Sequence, residues 1–125
     1  MILDTNGISA MADGDPGLKP ILLQAAQLAI PVVALGEYRY GISQSRDRVR
    51  YEQWLTKHLV KFRVLDIDER TTVSYAAVRA ALRKAGTPIP SNDTWIAALC
   101  LQHSLPLISR DRHFDHVSGV TRISW

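Results

Sequence analysis

Four carboxylates in this chain stand at places where packing alone does not ask for them. Asp4 follows the apolar run Met1–Leu3, and Glu37 lies just past the β-branched run Ile30–Val33. Asp93 opens the helical pattern in IPSNDTWIAALCLQH, and Asp111 follows the apolar run that ends near Ser109. Asp93 shares the helical phase of Ile96, Ala97, Cys100 and Leu101, so its carboxylate is aimed where core is expected. Taken singly, Asp4 reads as a cap, Asp93 as a complement to its helix dipole, Asp111 as a loop acid and Glu37 as a solvent-facing one. Taken together at one end of one sheet, they would not all stay ionised unaided. Like charges within about 4–6 Å raise one another's pKa, and protonation or a bound cation relieves them. Oxygen donors favour a hard ion such as Mg²⁺ or Mn²⁺ over zinc. Mg²⁺ takes one or two carboxylates, keeps waters and completes its shell with phosphate oxygens, the arrangement of phosphoryl-transfer sites.

The elements that must position these acids follow from periodicity. Met1–Leu3 reads as a very short strand, and Ile8–Ala12 as a helical turn or two stopped by GDPG at Gly14–Gly17. Leu18–Leu28 reads as a helix with Pro20 in its first turn, Ile30–Val33 as a strand and Ala34–Ser43 as a helix. Arg46–Val60 is amphipathic, with Val49, Trp54, Leu55 and Leu59 among charges. Phe62–Ile67 alternates as a strand, and Asp68 suits the N-cap of a helix over Glu69–Ala85 that stops at Gly86. That helix carries a small-residue stripe, Val73, Ala76, Ala77, Ala80 and Ala81, suited to close packing. Ser91 or Asn92 is the expected cap of the helix bearing Asp93, where backbone N–H groups would favour the ionised acid. Strands over Leu105–Ser109 and Val120–Ile123 flank the polar loop RDRHFDH. Short apolar strands alternating with longer helices predict an α/β domain whose mainly parallel sheet is covered on both faces. In such sheets, sites form at the carboxyl ends of the strands.

A chain of 125 residues suits one domain spanning residues 1–125. Hydrophobic content of 46% against 22% charged residues fits a soluble globular protein. No apolar run approaches the roughly 20 residues that span a bilayer, and MILDTNG carries no basic leader, so a cytoplasmic protein is expected. The lone Cys100 cannot form an internal disulfide and reads as a small core hydrophobe. A net charge of +3 permits a polyanionic partner without demonstrating one. GEYRYGIS lacks a Walker lysine and GxGxxG, and no Ser/His/Asp or Cys/His set stands out by spacing, so nucleotide hydrolysis and acyl transfer have little support.

The sequence resembles the PIN-domain family, and within it the VapC-type toxin ribonucleases of prokaryotic toxin–antitoxin pairs. The matching segments are LDTN at Leu3–Asn6, IPVVALGEYRYGI at Ile30–Ile42, AGTPIPSNDTWIAA at Ala85–Ala98 and LPLISRDRHFDHV at Leu105–Val117. They occur in family order over almost the whole chain. The resemblance implies a three-layer α/β/α sandwich and a Mg²⁺- or Mn²⁺-dependent endoribonuclease that leaves 5′-phosphate and 3′-hydroxyl ends. It makes Asp4, Glu37, Asp93 and Asp111 the acidic quartet, with Asp4 and Asp93 as direct metal ligands and Glu37 and Asp111 positioning water or a second ion. Asp115 falls where some relatives have a further acid; as a plain loop acid it would pair with Arg112 or a histidine. Thr5, Asn6 and Ser109 resemble the small polar residues that orient such carboxylates, although Thr5 and Asn6 also suit a turn. The implied partners are RNA, a small cognate antitoxin that covers the site, and a second copy in a homodimer. Only three residues precede Asp4, and GDPG makes the loop after the first helix turn-like; neither departure touches the acids.

Other residues keep two readings each. Arg110 and Arg112 bracket Asp111 and would either pair with it or grip RNA phosphates. His113 and His116 flank Asp115; both read as surface histidines, His113 also as a phosphate contact, and the pair, less in keeping with spacing, as a zinc site. His58 and His103 sit where they complement helix C-termini. Arg46, Arg48 and Arg50, with Tyr51 and Trp54, form either a solvated face or a basic-aromatic patch for RNA or a partner. Trp54, Leu55 and Leu59 suit core packing or a partner groove. The rival functions are a PIN-fold RNA-binding or assembly module without activity, a non-toxin RNA-processing nuclease, and a phosphotransfer domain using Asp4, which lacks the second aspartate of a DxD arrangement. The RNA target, the antitoxin and the number of ions are not encoded in any motif.

Overall fold

The most uniformly apolar runs of the sequence become the middle of a sheet. In the computed structural model, which describes residues 1–125, β1 (Ile2–Leu3), β2 (Ala29–Pro31), β3 (Arg63–Leu65), β4 (Leu107–Ile108) and β5 (Arg122–Ile123) are all parallel, in the order β3-β2-β1-β4-β5. Strands covered on both faces have no room for polar side chains. Accordingly Ile2, Leu3, Ile30, Leu107 and Ile108 are fully buried, while the edge strands carry Arg63 and Arg122.

Six helices accompany the sheet: α1 (Thr5–Ala12), α2 (Lys19–Gln24), α3 (Val32–Ser43), α4 (Arg48–Leu59), α5 (Glu69–Ala85) and α6 (Ser91–His103). The chain moves outward from β1 through β2 to β3, then crosses back to β4. Right-handed crossovers therefore place α1–α4 on one face and α5 and α6 on the other, the expected three layers. α1, α3 and α4 pack against one another, and α5 packs on α6. The direction reverses between β1 and β4, and at such a switch point the carboxyl ends of the strands open a crevice.

Several boundaries differ from the sequence expectation, each for a local reason. The expected strand Ile30–Val33 ends at Pro31, and Val32 and Val33 enter the first turn of α3. Proline has no N–H to offer a ladder, so it sits at the strand end and its extended backbone starts the helix. α1 begins at Thr5 rather than Ile8 because Asp4 caps it. Gly7 permits this early start: a Cβ there would lie 2.8 Å from Leu3 Cδ2 and 3.3 Å from the Ile108 carbonyl, so α1 rests its backbone directly on the sheet. α2 stops at Gln24 instead of Leu28, since Ala25 turns extended and the chain must return Ala29 to pair beside Ile2. The strands expected over Phe62–Ile67 and Leu105–Ser109 keep only inner residues, and that over Val120–Ile123 only its last two.

α5 keeps its predicted bounds, with Asp68 and Thr71 forming a capping box and Gly86 ending it at φ 73°. Its small-residue stripe does not pack as expected. Val73 is 72% exposed and Ala76, Ala77, Ala80 and Ala81 are exposed, while Thr71, Val78 and Leu82 face inward. Larger side chains remove more apolar area from water than alanine methyls, so they set the rotation of the helix. Leu55 is buried, and Trp54 lies edge-on to Tyr38 and stacks on His58, so these residues take the core reading. Cys100 is buried too, and burial pushes its thiol up to about 12, leaving it protonated and inert.

Candidate functional site

Asp4 ends β1 and caps α1, so one backbone position serves the sheet and the first helix. Its Oδ1 accepts from the Thr5 N–H at 2.7 Å, and its Oδ2 accepts from the Ser109 hydroxyl at 2.7 Å and from Asn6 Nδ2 at 3.4 Å. Asp4 is only 4% exposed. Ser109 follows β4, is fully buried, and also accepts from the Asp111 N–H at 3.0 Å. One hydroxyl thus ties Asp4 to the loop that carries Asp111. Asn6 closes the arrangement: Nδ2 donates to Ser109 Oγ at 3.3 Å and Oδ1 accepts from the Arg110 N–H at 3.1 Å.

Glu37 and Asp93 come from helices that each start just after a proline. Pro90, not Ser91 or Asn92, holds the N-cap position of α6, with no side-chain cap bond, which corrects the sequence expectation. Ser91 and Asn92 are already inside the first turn, and Asp93 is directed into the crevice. Asp93, Asp111 and His113 bring ligand atoms within 4.8 Å of one another, and with Glu37 they line a cavity of about 510 Å³. His113 Nδ1 lies 3.0 Å from Asp93 Oδ2 and 3.2 Å from Asp111 Oδ1, and the backbone N–H of His113 donates to Asp111 Oδ1 at 2.9 Å. Glu37 Oε1 and the Thr5 hydroxyl are buried without hydrogen-bond partners.

The electrostatics match a crowded carboxylate pocket. Burial raises the Asp4 carboxyl most, its bonds to Ser109 and Thr5 oppose the rise, and the charges of Asp93 and Asp111 add to it. Burial also raises Glu37, helped by Asp4 and Asp93, while the nearby Thr5 hydroxyl opposes this without closing a well-formed hydrogen bond. Asp93 is raised by burial despite His113, so the helix start does not keep it as readily ionised as its position suggests. His113 is raised by its bond to Asp93 and the charge of Asp111, so its imidazolium offsets both acids. Carboxylates that repel one another beside one imidazole suit a divalent cation, and Asp93, Asp111 and His113 are the group whose ligand atoms lie close enough together to hold one.

The sequence model of the family described as "PIN domain" matches residues 1–120. The chain is a PIN domain. Its relatives include ribonuclease VapC4 of Mycobacterium tuberculosis, 31% identical over 76% of this chain and 75% of that protein. Toxin FitB of Neisseria gonorrhoeae is 31% identical over 89% of this chain and 87% of that protein. Among solved structures, VapBC2 of Rickettsia felis bound to a promoter DNA fragment superposes with a TM-score of 0.86, covering 99% of this chain and 97% of that one at 22% identity. The all-parallel sheet and six helices are thus those of the PIN fold.

Within this PIN domain the remaining candidates divide by where they point. Asp115 is held away from the cluster by a bidentate pair with Arg122, at 2.7 and 2.9 Å, rather than by Arg112 or a histidine. Arg122 also donates to the Ser109 carbonyl at 3.1 Å, a role no local motif announced. Arg110 does not pair with Asp111: its guanidinium reaches Asp15 at 3.3 Å and lies over the Trp125 ring. Arg112 is exposed. His113 stands beside Asp93 and Asp111 and adds an imidazole to the carboxylate donors, while His116 lies outside that group. Arg48 and Arg50 spend their charge on Glu52 and Asp47 of their own helix region, as a solvated face does. No helix is long and apolar enough to cross a membrane.

Proposed function

We propose that this PIN domain is a divalent-metal-dependent endoribonuclease, the toxin of a toxin–antitoxin pair. The observation that carries the reading is a cavity lined by Glu37, Asp93, Asp111 and His113, with buried Asp4 tied through the Ser109 hydroxyl to the Asp111 amide. Relatives named ribonuclease VapC and toxin FitB supply the substrate class and the biological role. Structural neighbours solved as VapBC and FitAcB complexes supply the antitoxin partner, and a homodimer of the toxin belongs to the same reading.

A bound Mg²⁺ or Mn²⁺ would lower the pKa of a water nucleophile and stabilise charge on the phosphate. The chain's own contribution is positional. Ser109 and Thr5 fix the two oxygens of Asp4, while His113 draws Asp93 and Asp111 together. Glu37, which lines the cavity and has a raised pKa, is suited to orient water beside the phosphodiester and take its proton. Attack in line on phosphorus expels the 3′ oxygen and leaves a 5′-phosphate.

The test is cleavage of structured RNA by protein purified free of antitoxin, with Mg²⁺ or Mn²⁺ and with EDTA. Asp4→Asn and Asp93→Asn should each lower the rate by more than the roughly 10–100-fold that loss of a merely orienting partner costs. Full activity in both variants, or in EDTA, refutes the site.

A further inference from the structure

The carboxylates that line the crevice repel an RNA backbone, so a strand held there needs cations beside it. Arg110 and Arg122 do not meet that need, being committed to Asp15 and Asp115. Across Ser91 from the crevice lies a second cavity of about 320 Å³, between α5 and the segment that leads into α6. Tyr75, Arg79, Arg83, Ile89 and Ser91 are among its lining residues, and Ser91 lines both cavities. A strand leaving the acidic crevice over the start of α6 enters this one directly.

The cations of this second cavity are free and one is already posed. Neither Arg79 nor Arg83 makes an ion pair with a carboxylate. Arg79 Nη1 donates to the Tyr75 hydroxyl at 2.8 Å, and its guanidinium lies 5.9 Å from the Tyr75 ring centroid. Tyr75 in turn stacks on Trp95, ring centroids 3.9 Å apart. An arginine oriented in this way loses less freedom on binding and keeps most of its N–H donors for a bidentate grip on phosphate. Arg83 stands one helical turn further along the same face.

We propose that this cavity is a substrate subsite for the RNA phosphodiester that neighbours the cleaved one, gripped by Arg79 and Arg83, with its ribose against Tyr75 and Ile89. The substrate class rests on the nuclease reading above; the position of the subsite rests on the two arginines and the shared Ser91.

The test is binding of a structured RNA to the full chain in EDTA, across a salt series, for wild type, Arg79→Ala/Arg83→Ala and Arg79→Lys/Arg83→Lys. An Arg46→Ala/Arg48→Ala variant controls for net charge. The alanine pair should weaken binding about tenfold and flatten the slope of log Kd against log salt by roughly 1.4, the value for two lost phosphate contacts on a single strand. The lysine pair should restore the slope, and the control should leave affinity closer to wild type. With metal present, the alanine pair should raise KM while kcat and Mn²⁺ affinity hold. Unchanged affinity and slope in the alanine pair overturn the proposal, as does an equal loss in the control. RNA bound with the expected slope yet never cut would leave the subsite standing and remove the nuclease reading instead.

Discussion

Ser109 is fully buried, and its hydroxyl donates to Asp4 while accepting from the Asp111 N–H. Ser109→Ala strands that amide and leaves Asp4 Oδ2 with only the long contact from Asn6. Residues that orient ligands without supplying them typically change metal affinity or activity by about 10–100-fold, and that is the loss expected in both Mn²⁺ affinity by calorimetry and cleavage rate. Wild-type values for both would remove Ser109 from the site. Asp4, Asp93 and Asp111 were conspicuous because each follows an apolar run or opens an apolar pattern, whereas Glu37 sits inside a helical pattern. His113 was singled out only as a phosphate contact, and its place between Asp93 and Asp111 was missed because it sits with His116 in one polar loop. The usable signal was the spacing Asp111-Arg112-His113: an aspartate that takes the N–H two residues on makes an Asx turn, and this one folds His113 back over the cleft. Arg122 was beyond reach, because its partners Asp115 and Ser109 are brought to it only by the pairing of β4 and β5.

At the scale of the elements, the caps of α5 were read more accurately than its face, whereas the expected cap of α6 gave way to Pro90. Asp68 and Gly86 bound α5 because a side-chain acceptor and a left-handed residue act locally, whatever the rest of the fold does. Which face turns inward is decided by neighbours, and α5 chose Val78 and Leu82 over its alanine stripe. Thr71 shows how cap and packing meet: it completes the capping box, is fully buried, and its hydroxyl donates to Gln102 Oε1 of α6 at 2.6 Å. Thr71→Val keeps the shape and removes those bonds, at a cost of about 1–3 kcal/mol in urea denaturation, while cleavage per folded molecule stays constant. A loss under about half a kcal/mol would mean that the hydroxyl contributes nothing to joining α5 and α6. The prolines before α3 and α6 were visible, but the sequence does not show that one ends a strand and both open helices that bear site acids.

For the whole molecule, the parallel α/β order was legible because strand and helix patterns alternate, whereas strand lengths depended on a register that only the assembled sheet sets. The molecule's response to pH follows from the site. Asp4, Glu37 and Asp93 titrate above their ordinary values of 3.8, 4.5 and 3.8. The native state therefore holds those protons more tightly than the unfolded chain, and the stability this confers is complete below about pH 4 and lost as pH rises through the raised values. Asp68 and Asp115, held low by Thr71 and Arg122, act with the opposite sign and lose their contribution as pH falls. The difference in Tm with and without Mn²⁺ isolates the site: it should grow as pH rises through the raised window, because protons and cation compete for the same oxygens. A difference independent of pH would contradict this. One consequence lies in the sheet itself. The amides of Asp4 and Ser109 donate to Ile108 and Ile123, so both residues belong to the hydrogen-bonded ladder at its centre. Central strands are among the last parts of a protein to open. Fraying confined to the helices and outer loops therefore leaves the Asp4 carboxylate and the serine that holds it in place, and this strand-borne half of the site persists until the sheet itself opens.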